Sequence, residues 1–117
     1  MPVLSYTALN NRAYQPSESS YALHVAGVEI RSIDNVVIQP LSVALISSGL
    51  AFNFPANSFP QIIRHQMVPD IVQVFSGCVN STFRGEIKVA VYNRSQSDIF
   101  TIYRGAPVAL LISVNQA

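Results

Sequence analysis

Apolar and polar residues alternate with a period of two along most of the chain, the pattern of strands that bury one face. Ile87, Val89 and Val91 fall on one side against Lys88, Ala90 and Tyr92, while Val108, Leu110, Ile112 and Val114 oppose Ala109, Leu111 and Ser113. Leu50, Phe52 and Phe54 repeat the alternation, and further strands are expected over 22–25, 27–33, 41–47, 71–75 and 99–103. Clusters rich in Ser, Asn, Gly and Pro separate these runs, at 47–49, 53–60, 93–98 and 103–107, and such residues favour turns. Seven prolines and short, evenly spaced apolar runs argue against a long helix. The prediction is an all-β barrel or distorted jelly roll with at most one short helical turn. It forms a single domain over 1–117, in which residues 1 to about 20 are polar enough to be an arm or a flexible tail.

Composition sharpens this picture in three ways. Half of the 117 residues are hydrophobic and only 11% are charged, a balance that predicts apolar surface covered by assembly with other copies. The net charge is +1, with six arginines and Lys88 scattered rather than clustered; no stripe for a phosphate backbone results, so no nucleic-acid partner is expected. The longest apolar run, 106–114, is about half of what a spanning helix needs and is broken by Pro107 and Ser113, so no membrane partner is expected either. Cys78 is the single cysteine and the amino terminus lacks a leader pattern, which together predict an intracellular, reducing compartment. The glycosylation patterns at Asn80 and Asn93 need secretion and are read as chance matches. His24, His65, Asp70 and Cys78 match no metal-ligand spacing, and no Gly-x-Ser-x-Gly elbow is present.

The stretch Gly77-Cys78-Val79-Asn80-Ser81-Thr82-Phe83-Arg84-Gly85-Glu86 leading into an alternating strand closely resembles the third motif of the trimeric dUTP pyrophosphatases, Gly-x-x-Asp-x-x-Tyr-x-Gly. Asn80 stands at the position of the aspartate and Phe83 at that of the tyrosine. Residues 104–112, Arg104-Gly105-Ala106-Pro107-Val108-Ala109-Leu110-Leu111-Ile112, resemble the fourth motif, with Pro107 in place of the arginine and Leu110 in place of the glutamine. His24 falls where the first motif carries an aspartate, and in Ile63-Arg64-His65-Gln66 only Arg64 of the second motif remains, His65 taking the serine position. The fifth, glycine-rich motif has no counterpart. The matching position for the glutamate of the related dCTP deaminases is Ala90, so that reaction is disfavoured.

The resemblance implies a jelly-roll subunit of a homotrimer. It also implies lost chemistry, because an amide nitrogen cannot take the proton that a carboxylate would accept from water. His24, His65, Asn80, Pro107 and Leu110 are then degenerate catalytic positions, and Arg64, Gly77, Asn80 and Phe83 a remnant of a nucleotide site. Phe83 could offer a face to a deoxyribose, or simply fill the core. No metal and no cofactor is expected. The resulting expectation is a catalytically inactive, dUTPase-derived protein of the kind that viruses carry, not an enzyme. It would act in the host cytoplasm or nucleus through an unidentified protein partner. A non-hydrolysing deoxyuridine-nucleotide binder, a virion or assembly component and, last in order, an active dUTP pyrophosphatase stand as alternatives.

Overall fold

Alternation becomes strand along almost the whole chain. The structure, a computed structural model, describes residues 5–16, 18–22 and 25–115, and no helix occurs among them. His24 lies outside the described residues. Eleven strands follow in order: β1 (Ser5–Ala8), β2 (Glu18–Ala22), β3 (Val25–Arg31), β4 (Val36–Ile38), β5 (Val43–Asn53), β6 (Ser58–Arg64), β7 (Val72–Val74), β8 (Gly77–Cys78), β9 (Glu86–Asn93), β10 (Phe100–Ile102) and β11 (Pro107–Asn115).

They build one sheet in the order β1-β5-β9-β7, a second in the order β2-β3-β11-β6-β8, and a ribbon of β10 with β4. Every pairing is antiparallel. The first sheet contributes Ile46, Phe52, Ile87, Val89 and Val91 to the core, the second Val28, Ile30, Ala109 and Leu111, and the ribbon Ile38 and Ile102. Each fully buried aliphatic side chain of this kind contributes about 1.5–3 kcal/mol relative to exposure.

Several expected boundaries shift, for local reasons. The runs at 41–47 and 50–54 are one long strand, β5, kinked where Gly49 takes φ 70°. Pairing with β9 slips between Ser47, opposite Lys88, and Ala51, opposite Glu86. Ser48 stabilises the bulge by donating its hydroxyl to Ile87 O at 2.6 Å and accepting from Leu50 N at 3.1 Å. Leu41 sits at φ 55°, so the strand cannot start before the turn it occupies. The expected strand over 22–25 is divided, β2 ending at Ala22 and β3 starting at Val25, with these two residues paired. β6 begins at Ser58, inside the cluster read as a turn, and carries Pro60 with its side chain buried, in register opposite Ser113 of β11. β1 lies within the segment read as an arm or a tail and pairs with Leu50–Asn53 of β5.

Candidate functional site

The turn between β8 and β9 shapes a cleft of about 390 Å³ lined by Ile62, Cys78, Asn80, Phe83, Glu86 and Lys88, among others. That volume is in the range of small-molecule sites. β8 is held against β6 through the pairs Gln61 with Cys78 and Ile62 with Gly77, and β9 is fixed against β5. Two anchored strands therefore present the connecting turn rigidly.

Asn80 opens the turn. Its carbonyl accepts from Phe83 N at 2.8 Å, and its side-chain Oδ1 accepts from both Thr82 N at 2.9 Å and Thr82 Oγ1 at 2.8 Å. A backbone N–H can only donate, so oxygen faces the turn and Nδ2 faces outward. Oδ1 is therefore taken up by the turn, and the side-chain atom that the turn does not engage, Nδ2, is a donor. Phe83 is 41% exposed, which decides between its two readings: the ring lines the cleft and does not fill the core. A Cβ on Gly85 would come within 2.9 Å of Phe83 Cζ. The glycine leaves room for the ring to fold back over it, and its backbone does not turn through positive φ.

Glu86 is bound within its own subunit, accepting from Gly49 N at 3.0 Å. It thereby satisfies the amide that the β5 bulge leaves without a ladder partner. Arg84 donates to Ser81 O at 2.7 Å and closes the turn from outside. Lys88 is exposed at the cleft and supplies a cation there.

The remaining sequence-nominated residues sit elsewhere. Gly77 is on β8, paired with Ile62 of β6, and does not line the cleft. Arg64 braces the following loop by donating to Val68 O and to Asp70 Oδ1, the latter at 3.0 Å. His65 is 3% exposed; its Nδ1 accepts from Met67 N at 3.1 Å, which leaves the ring proton on Nε2 for Glu29 Oε2 at 2.7 Å. Glu29 also pairs with Arg31 at 3.0 Å, and Arg31 donates to Gly105 O at 2.7 Å. This network ties β3 to the loops after β6 and before β11. Pro107 starts β11 opposite Arg31, and Leu110 is fully buried between Glu29 and Ile63 in register. Glu29 was not singled out in the sequence, although it is a lone acidic residue inside an apolar alternation. Among the described residues no group of three His, Cys, Asp or Glu side chains converges as a metal site would, and no helix is long and apolar enough to cross a membrane.

Two packed antiparallel sheets with a cleft under the β8–β9 turn define an all-β protein of the jelly-roll class. Within that class the chain belongs to the dUTPase family, whose sequence profile matches residues 15–116. The deoxyuridine 5'-triphosphate nucleotidohydrolase of Saccharomyces cerevisiae is 30% identical over 89 residues, covering 74% of this chain and 60% of the yeast protein. That of avian adenovirus 8 is 33% identical over 89 residues, covering 74% of this chain and 54% of the viral protein. The chain thus spans a little over half the length of these relatives. In solved structures the fold matches the staphylococcal bacteriophage 80alpha dUTPase with dUpNHpp at TM-score 0.87, with 17% identity and coverage of 100% of this chain and 85% of the other. It matches the dUTPase of phage phi11 of S. aureus at 0.86, with 17% identity and coverage of 99% and 92%.

These relatives correct the functional expectation. Proteins that align along three quarters of the chain are nucleotidohydrolases by name, so the reading of an inactive, non-enzymatic chain working through an unidentified protein partner is overturned. That reading gave decisive weight to single side chains such as Asn80, Pro107 and Leu110. The backbone of the β8–β9 turn, its glycine and its aromatic ring are all in place.

Proposed function

We propose that the chain is a deoxyuridine triphosphate nucleotidohydrolase subunit, splitting dUTP into dUMP and pyrophosphate at the cleft under the β8–β9 turn. The observation that carries this reading is the anchored turn itself, with Asn80, the Phe83 ring and Lys88 on one cleft in a chain of the dUTPase family. The half-exposed Phe83 ring offers an apolar surface to the deoxyribose. Lys88 offers a charge-assisted contact to a phosphate oxygen. Asn80 Nδ2 donates to an acceptor on the nucleotide or on water, so turnover rests on positioning and electrostatics rather than on proton abstraction. Structures of the phage 80alpha enzyme with dUpNHpp include an aspartate-to-asparagine and a tyrosine-to-phenylalanine variant, altered at positions three apart, the spacing of Asn80 and Phe83. This supports nucleotide binding by a site of the present composition. Any divalent ion would be held chiefly by triphosphate oxygens. The test is release of pyrophosphate from dUTP set against dCTP and UTP, with selective turnover of dUTP expected and indifference among the three counting against the proposal.

Gly85→Ala tests the ring. The methyl displaces the Phe83 ring tip, a movable group, so stability should change by about 1 kcal/mol at most, while KM for dUTP rises several-fold. An unchanged KM would show that the ring does not contact the nucleotide.

A homotrimer forms part of the same reading. Val43 and Leu45 on the outer side of β5 are 58% and 63% exposed, apolar area that a neighbouring copy would cover. Light scattering should report a trimer for the parent chain and smaller species for Leu45→Glu. A parent that stays monomeric at micromolar concentration would contradict the assignment.

A further inference from the structure

We infer that Asn80 is a self-modifying position, at which the peptide nitrogen of Ser81 attacks the side-chain amide and water then leaves an aspartate in its place. The step balances without any oxidant or reductant. A base in solution takes the proton from Ser81 N, the nitrogen bonds to Asn80 Cγ, and the protonated base returns that proton to Nδ2 as the Cγ–Nδ2 bond breaks, releasing ammonia and closing a five-membered imide. Water reopens the imide at Cγ to give aspartate, or at the backbone carbonyl carbon to give isoaspartate. The net change is asparagine plus water to carboxylate plus ammonium.

Four observations at the turn favour this step. Charge grows on Oδ1 as the nitrogen approaches, and Oδ1 already accepts from Thr82 N at 2.9 Å and Thr82 Oγ1 at 2.8 Å; preplaced donors of this kind stabilise an oxyanion. The same two bonds hold the carboxamide down against the backbone of the turn. No hydrogen bond among the described residues engages the Ser81 N–H, and Ser81 brings only a small side chain. Asn80 is exposed, so water and base reach it.

The chain contains its own comparisons. Asn57-Ser58 is the same dipeptide, yet Ser58 N donates to Pro55 O at 3.3 Å and Ser58 is buried, so that nitrogen is engaged. Asn93 also caps a turn through Oδ1, accepting from Ser95 N at 3.0 Å, but its Nδ2 is held by Ile38 O and Asp98 O and the residue is buried. There the leaving group is locked.

The occurrence of the modification stands apart from the hydrolase proposal; only its consequence for activity rests on that reading. The test is incubation of the intact protein at mildly alkaline pH, followed by digestion and mass spectrometry of the peptides holding residues 80 and 57, with aspartate and isoaspartate separated. Conversion at Asn80 should exceed that at Asn57 by about tenfold or more, equivalent to about 1.4 kcal/mol of preferential transition-state stabilisation. Ser81→Pro should abolish conversion at Asn80, because proline suits the second position of the turn while removing the attacking N–H. Equal rates at Asn80 and Asn57, or undiminished conversion in Ser81→Pro, would overturn the inference. Pyrophosphate release from dUTP is followed in the same samples. Conversion to aspartate without a gain in hydrolysis would leave the modification standing and count against the catalytic reading of the turn.

Discussion

Asn80→Asp should raise kcat for dUTP hydrolysis by about 10²–10⁴-fold, the span typical of a general base. The geometry explains why so small a change acts so strongly. Oδ1 would keep both bonds from Thr82, so the side chain stays in place, and the outward Nδ2 becomes a carboxylate oxygen. A donor that can only hold water through its lone pair turns into an acceptor that can take the water's proton. KM should move much less than kcat, because the Phe83 and Lys88 contacts are untouched. Asn80→Gln is the informative control: its longer side chain cannot hold the bonds to Thr82 in the same geometry, and it should lower activity. Parallel rises in both variants would mean that something other than proton abstraction limits the rate.

The largest stability effect is expected at Glu29→Ala. Its carboxylate accepts from His65 Nε2 at 2.7 Å and from Arg31 at 3.0 Å, with side-chain exposures of 16% for Glu29, 4% for His65 and 33% for Arg31. Removing one partner of a buried charged cluster costs about 3–5 kcal/mol, and the lower end, about 3 kcal/mol, applies because Arg31 can turn partly to water. Glu29→Gln keeps one acceptor and should cost about 1–2 kcal/mol. Chemical denaturation at fixed protein concentration measures both, since assembly contributes to apparent stability. A loss below about 1 kcal/mol for the alanine variant, the size of an exposed ion pair, would show that the cluster is a surface feature.

The same network shows what the sequence could and could not reveal. Alternation located β9 almost to the residue because that strand buries one face continuously, and the apolar run marked β11, whose residues 108–111 are buried on both faces. It missed β4, whose residues Val36-Val37-Ile38 are all apolar and show no alternation, and β6, whose proline resembles a turn signal. The Gly77–Gly85 stretch was legible as a site because turn residues are constrained in type. Its detail was not: that Phe83 folds over Gly85, and that Asn80 shows nitrogen rather than oxygen, depends on which donors the backbone presents. Glu29, Arg31 and His65 are drawn together by the pairing of β3 with β11 and β11 with β6, a long-range register that no local pattern encodes. The inference of lost activity failed for a related reason. Reading catalytic competence from a missing carboxylate treats the site as a set of side chains, whereas here much of it is backbone held by two anchored strands.

The most direct measurement is a dUTP hydrolysis assay on the parent chain beside Asn80→Asp, with magnesium present and any aspartate already formed at residue 80 quantified in the same parent sample. The account predicts selective release of pyrophosphate from dUTP by both, faster by at least about a hundredfold in the variant. Absence of turnover in both would contradict it.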